Sequence, residues 1–231
     1  MLDMQYLIEF AWVVILTLYS LGFILFTRKI YDWMINHHIE KSVAVYYNRK
    51  LIHIFAGGIV VLAVPFVFDS PYFPLIASSL LAIVMYYFHR SHRILYWFQH
   101  KRDLNDVTFC FMWGIAIFIL WFFFENPWVA VIPPAFIAFG DGITGIVRNF
   151  AFKERRKHPI GNIYMAGLCI IIGYFFADMA GIAWWGIIAA VVASLFERYE
   201  FGPFDDNILI TISSIVVLFI GGAVGPITSF F

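Results

Sequence analysis

The chain alternates between long apolar runs and short polar connections. A helix that crosses a bilayer needs about 20 consecutive, mostly apolar residues. Eight runs approach that length: Tyr6–Thr27, Leu51–Phe68, Tyr72–Phe88, Leu104–Phe124, Trp128–Val147, Ile163–Asp178, Ile182–Phe196 and Ile208–Val224. None shows the period-two polar alternation of a strand in a membrane barrel. The pattern predicts an all-α, polytopic transmembrane bundle of about eight spans. The first run continues to Phe26 without a small-residue cleavage motif, which predicts a retained helix. The polar stretch Arg28–Lys50 is interrupted by Tyr31, Trp33, Met34 and Ile35, as in a helix lying at the membrane interface. This divides the chain into residues 1–50, a first span plus interfacial segment, and residues 51–231, a membrane-embedded catalytic part.

Composition narrows the class. The 231 residues are 62% hydrophobic and 13% charged, against roughly 25% charged in soluble domains. A soluble fold of this size has no room to bury so much apolar surface, which excludes an ordinary soluble enzyme. The net charge is zero, from 15 Lys and Arg against 15 Asp and Glu. No basic excess points to nucleic acid. Cys110 and Cys169 sit in apolar runs without metal-ligand spacing and read as buried fillers.

Charge placement adds direction. With eight spans, all 15 Lys and Arg fall on one side, and so do the seven His. Excess positive charge marks the cytoplasmic face, so both termini are expected outside and any polar site is expected to open to the cytoplasm. The opposite connections are short, such as Asp69–Ser70–Pro71 and Glu125–Asn126–Pro127.

Four segments carry candidate chemistry. The fifth run contains Pro133, Pro134, Gly140, Asp141, Gly142 and Gly145, which predicts a broken helix around Gly140–Asp141–Gly142. Asp141 lies seven residues before Arg148, or roughly 10 Å below the membrane edge at 1.5 Å per residue. An ionised carboxylate there costs several kcal/mol unless paired, hydrated or bound to a cation. Asp141, Thr144, Gly145 and Arg148 share one helix face. That face fits a metal- or phosphate-binding cleft, or a set of packing glycines beside a paired Asp.

The second segment, Arg148–Asn162, carries Arg148, Lys153, Arg155, Arg156 and Lys157, then the Pro159–Ile160–Gly161 turn into the sixth helix. It reads as a stop-transfer loop, or as a polyphosphate clamp leading to an anion-attracting helix N-terminus. Third, Arg49, His53 and Gly57 share a face one turn into the second run, where His53 is either a satisfied interior group or a phosphate or proton partner. Fourth, Glu197 is followed by Asp205–Asp206–Asn207, which serves as helix capping or as a hard-cation site. Glycine-loop nucleotide, kinase catalytic-loop, HExxH and GxSxG signatures are absent.

Taken in order, Arg49–Lys50–x–x–His53, Gly140–Asp141–Gly142, Lys157–x–x–x–Gly161 and Glu197 with Asp205–Asp206–Asn207 resemble the polyprenol, phytol and dolichol kinases. These are integral-membrane enzymes related to the phosphatidate cytidylyltransferases. The resemblance covers roughly Arg49 to the end of the chain. It departs from the family pattern at Arg148, His158 and Ile208. It implies a Mg²⁺-dependent kinase that transfers the γ-phosphate of CTP, or of ATP or UTP, to an isoprenoid lipid alcohol such as dolichol, phytol or geranylgeraniol. It implies metal contacts at Asp141, Asp206 and Asn207. Nucleotide and phosphate contacts would come from Arg49, Lys50, Gly140, Gly142, Gly145, Arg148, Lys157, Gly161 and Asn162. Asp141, Glu197 and His53 are the candidates to accept the hydroxyl proton. A cytidylyltransferase acting on a lipid phosphate and a small ion or solute transporter are the alternatives. Membrane lipids are the expected surroundings, and the oligomeric state stays open.

Overall fold

The computed structural model describes residues 2–101, 103–152, 158–199 and 204–226. Eight helical stretches run in chain order: α1 Leu2–Asn36, α2 Lys41–Val67, α3 Tyr72–Arg90, α4 Asn105–Phe124, α5 Pro127–Phe152, α6 Pro159–Asp178, α7 Ala183–Phe196 and α8 Asp206–Val224. All but α7 are long and apolar enough to cross a membrane. At 14 residues, α7 spans about 21 Å, less than the roughly 30 Å hydrocarbon core. The described residues contain no strand. The chain is an all-α, multi-pass membrane bundle, as the run pattern predicts.

The polar stretch Arg28–Lys50 does not form a separate interfacial helix. It is shared between the end of α1 and the start of α2, which meet at a turn where His38 adopts φ 60°. The expected division after residue 50 therefore falls inside α2. The cause is tertiary: Tyr31, Met34, Ala44 and Val45 are buried against one another with Trp97 and Phe98. Asn48 fastens this corner, its Nδ2 donating to the Thr27 carbonyl at 2.8 Å and the Trp97 carbonyl at 3.0 Å.

Helix α5 is the central element and the most deeply buried of the spans. Its break lies earlier than the glycines suggest. The helix is interrupted at Val131, continues through Ile132–Ala135, widens into a π-turn over Phe136–Gly140, and is regular from Asp141 onward. Pro133 and Pro134 lack N–H donors, which removes ladder bonds and moves the irregularity upstream of Asp141. A second π-turn, His53–Gly58, lies in α2. Such turns are often found at functional sites, and here the two meet where the Phe139 ring packs on Gly58.

Helices α6 and α7 cross in close contact. Added Cβ atoms on Gly173 and Gly186 would each collide with the other's backbone carbonyl, the close approach that small residues allow between membrane helices. Asn162 lies 11 residues before Gly173, and Glu197 lies 11 residues after Gly186. In an antiparallel pair these two positions face each other about 16 Å from the crossing point.

Candidate functional site

The site begins with α2 and α5, which run antiparallel. Gly145 faces Lys50, and Gly142 faces Ile54. A Cβ on Gly145 would lie 2.6 Å from Lys50 Cε, and one on Gly142 would lie 2.5 Å from Ile54 Cγ1. The missing side chains leave a groove that the Lys50 stem fills. Its ammonium then reaches Asp141, at 2.5 Å from Oδ1 and 2.6 Å from Oδ2. Both residues are buried, so the pair has the charge compensation that a carboxylate at this depth requires. His53 lies one turn further along α2. Its Nδ1 is 3.3 Å from Asp141 Oδ2 and has no aligned hydrogen-bond partner. Its ring stacks on Phe109 with centroids 4.0 Å apart.

Arg49 sits 3.4 Å from Asp103 Oδ1 and within electrostatic reach of Asp206 and Asp141. The Tyr46 ring lies 5.7 Å from the Arg49 guanidinium and 5.2 Å from the Lys50 ammonium. Two cations, one aromatic face and the Asp141 carboxylate thus share one corner.

A second corner is built on Arg148. Its Nη1 donates to Glu197 Oε1 at 2.7 Å and its Nη2 to Glu197 Oε2 at 2.8 Å. Nη2 also reaches Asn162 Oδ1 at 3.0 Å, and Nε reaches the His158 carbonyl at 3.0 Å. Asn162 Nδ2 donates to Glu197 Oε2 at 3.0 Å and to the Ser194 carbonyl. Gly161 makes room for this guanidinium, since a Cβ there would overlap it. The two-point Arg–carboxylate geometry is rigid and directional.

The third corner is the start of α8. Asp205 caps the helix, its Oδ1 accepting from the Ile208 N–H at 3.1 Å, and its Oδ2 accepts from the Thr108 hydroxyl. Burial pushes the Asp205 carboxyl up to about 6, with the adjacent Asp206 carboxylate acting in the same direction. Asp206 points inward. Carboxylate oxygens of Asp141, Glu197 and Asp206 all lie within 4.8 Å of one another, and all three residues are buried. Asn207 Nδ2 donates to the Asn105 carbonyl at 3.0 Å, while its Oδ1 is buried without a partner.

This donor set suits a hard divalent cation. Mg²⁺ takes oxygen ligands at 2.0–2.1 Å, so opposite ligands stand about 4.2 Å apart, close to the observed spread. Lys50 and Arg148 already compensate two of the carboxylates, yet each carboxylate offers about four acceptor positions.

The residues expected from sequence are mostly brought together, though not always in the expected roles. Asp141 and Asp206 are in the cluster, and Glu197 joins them as a carboxylate donor. Lys50 and Arg148 bind carboxylates rather than facing open space. Gly140, Gly142, Gly145 and Gly161 do not form a phosphate cradle: a Cβ at each would meet Cys169, Ile54, Lys50 and Arg148 respectively. Their packing role is the alternative the helix face left open. Asn162 orients Glu197 and Arg148. Lys157, with Lys153, Arg155 and Arg156, lies outside the described residues.

Asp106 is among the polar groups that the sequence did not single out. Asp106, in the first turn of α4, takes the His89 Nε2 at 2.9 Å on Oδ1 and the Gln99 Nε2 at 2.5 Å on Oδ2. Its only signal was an acidic residue just inside the fourth apolar run, indistinguishable from an ordinary helix start. Asp106, His53 and Arg49 also line one end of an apolar cavity between α1, α2, α3 and α4. That cavity holds about 1000 Å³ of space free of protein atoms, its open mouth included.

No family model matches the chain, and no curated protein or solved structure matches it.

Proposed function

We propose that this chain is an integral-membrane phosphotransferase that moves the γ-phosphoryl group of a nucleoside triphosphate, CTP first among them, to the hydroxyl of an isoprenoid lipid alcohol. The observation that carries this reading is the convergence of Asp141, Glu197 and Asp206 from three separate parts of the chain, with Arg49, Lys50 and Arg148 around them. Phosphoryl transfer needs positioned charge more than covalent catalysis. A bound Mg²⁺ would neutralise donor phosphate charge at these carboxylates. The ordered resemblance to the polyprenol kinases supports the acceptor class, and the one-sided distribution of Lys and Arg expected from eight spans supports a nucleotide bound from the cytoplasmic face.

The described residues divide the work. Arg49, held only loosely by Asp103, is the cation placed to take a donor phosphate. Arg148 is a positioning residue: its hydrogen bonds to Glu197, Asn162 and the His158 carbonyl fix the angle of the Glu197 carboxylate. Asn207 offers its unpartnered Oδ1 as a further oxygen donor. His53 is poised to take the hydroxyl proton, because its Nδ1 has no aligned partner and lies 3.3 Å from Asp141 Oδ2. In the transfer, the alcohol oxygen bonds to the γ-phosphorus and its proton passes to His53. The bond from that phosphorus to the β,γ-bridging oxygen breaks, and the nucleoside diphosphate leaves with the electron pair.

The test is purified protein in detergent with Mg²⁺, CTP labelled on the γ-phosphate, and a mixture of polyprenols and phytol. Label entering the organic phase, with CDP as co-product, is the expected result. Pyrophosphate release on addition of a lipid phosphate would replace the reading with a cytidylyltransferase. No nucleotide consumption, with gradient-driven flux in liposomes, would replace it with a transporter.

A further inference from the structure

We propose that the cavity between α1, α2, α3 and α4 is a lipid site that takes one apolar chain ending in a hydroxyl group and fills sideways from the bilayer. Val13 and Ile24 of α1, Ile52 and Val60 of α2, Ala77 of α3 and Trp113 of α4 line its length. From Arg49 to Val60 the wall extends about 16 Å along α2. The Arg49, His53 and Asp106 side chains gather at one end, because His53 stacks on Phe109, less than one turn beyond Asp106 on α4. The site is thus apolar along its length and polar at its inner tip, as an amphiphile with a small head requires.

Three observations select the occupant. Protein interiors are packed to crystal-like density, so an apolar gap among helices calls for a filler. An apolar gap disfavours water, which needs two to four polar partners. The inner tip is buried and holds few polar groups, and its Asp106 carboxylate can accept from a hydroxyl. His53 supplies a buried nitrogen without an aligned partner at that tip, so a hydroxyl satisfies groups on both sides of it.

The way in follows from how α1 is held. One end is fastened by Asn48 to the Thr27 carbonyl and by Trp97 Nε1 to the Ile24 carbonyl at 3.1 Å. The other end is fastened by Gln5 Nε2 to Asp69 Oδ2 at 2.7 Å. Between them the hydrogen bonds among the described residues run from the Tyr19 hydroxyl to the Phe55 carbonyl at 2.8 Å and from the Ser70 hydroxyl to Glu9 Oε2 at 3.5 Å. A helix fixed at both ends and lightly held between can bow outward without losing its register.

Naming this occupant as the phosphoryl acceptor rests on the proposed function; naming the cavity a lipid site does not. The experiment uses the full chain in lipid nanodiscs without nucleotide, and a photoreactive, alkyne-tagged analogue of geranylgeraniol. Crosslinks should map to Val13–Ile24, Ile52–Val60, Ala77 and Trp113, saturate, and be competed by unlabelled geranylgeraniol but not by phosphatidylglycerol. Ala77→Trp should reduce labelling at least tenfold. Ala77→Leu, a milder filling that folds more easily, should reduce it severalfold. Gly22→Ala, where an added Cβ meets nothing within 4 Å, should leave it unchanged. Unsaturable labelling spread over the lipid-facing surface, competition by phosphatidylglycerol, or labelling indifferent to Ala77 would overturn the site. Specific labelling without phosphate transfer to the alcohol would leave the site standing and remove the kinase. Phosphate transfer undiminished in Ala77→Trp, with labelling lost, would leave the kinase standing and remove this occupant as its acceptor.

Discussion

Around Asp141 and Arg148, glycines are consumed by neighbouring side chains and the ionised groups named there meet a partner of opposite charge; a few ångströms away, between α1 and α4, apolar side chains face space. Both regions are lined by α2, and His53 belongs to both. The difference follows from what each side chain needs. A buried charge without a partner is expensive, so Lys50, Asp141, Arg148 and Glu197 fix their helices in one register. Apolar side chains impose no such direction. A bundle surrounded by lipid loses little if it leaves an apolar gap that lipid can fill, because lipid tails are as apolar as leucine. The polar corner is therefore the rigid part of the molecule, and the cavity is the part that can take a variable guest.

The largest expected effect breaks the polar corner. Asp141→Asn should reduce phosphate transfer by about 10³-fold or more, since it removes charge that acts at the transferring group. It should also destabilise the fold by about 3–5 kcal/mol, because Lys50 is left as an uncompensated buried charge. The double variant Lys50→Met with Asp141→Leu should regain most of that stability in a thermal-unfolding assay and remain inactive. An active double variant would show that the pair serves structure alone.

Next in size, Gly161→Ala should cost about 1–3 kcal/mol, the range for overpacking a filled site, because the new methyl group displaces the Arg148 guanidinium. Loss of Mg²⁺-dependent thermal stabilisation in the same variant would tie the Arg148–Glu197 geometry to metal binding. Unchanged stability would mean that the Arg148 corner is looser than its hydrogen bonds indicate. Asp205→Ala should cost about 1 kcal/mol through loss of the α8 cap, read from the unfolding midpoint. On the cavity side, Ala77→Leu should be neutral or stabilising by up to about 1 kcal/mol, as cavity filling commonly is. A cost above that range would show that the cavity walls are as closely fitted as the polar corner.

Much of the candidate site was legible because its residues are costly where they stand. A carboxylate in an apolar run, as at Asp141, signals either a partner or a ligand. Glu197 and Asp206, each bordering an apolar run, stood out as part of a capping or hard-cation set. The glycines were legible as close-approach positions but not as to what approaches. Gly145 and Gly161 admit Lys50 and Arg148, and a sequence lists neither partner. Asp106 was missed because one acidic residue at a helix start has an adequate local explanation. The interfacial helix over Arg28–Lys50 was misjudged for a related reason: polarity counted along the chain does not show that Asn48 and Tyr31 turn inward against Trp97.

The residues alone were enough to predict an all-α membrane bundle, the approximate limits of its helices, and the side chains too polar to sit unpaired in an apolar run. Those properties depend on local composition and on the cost of moving charge out of water, which each segment carries with it. Helix packing had to supply the rest: that Lys50 binds Asp141, that Arg148 binds Glu197, that three carboxylates from distant segments meet, and that α1 stands off far enough to leave a cavity. Each of these depends on helix register and crossing distance, set by pairs such as Gly173 with Gly186 and Gly145 with Lys50, whose members lie in different helices.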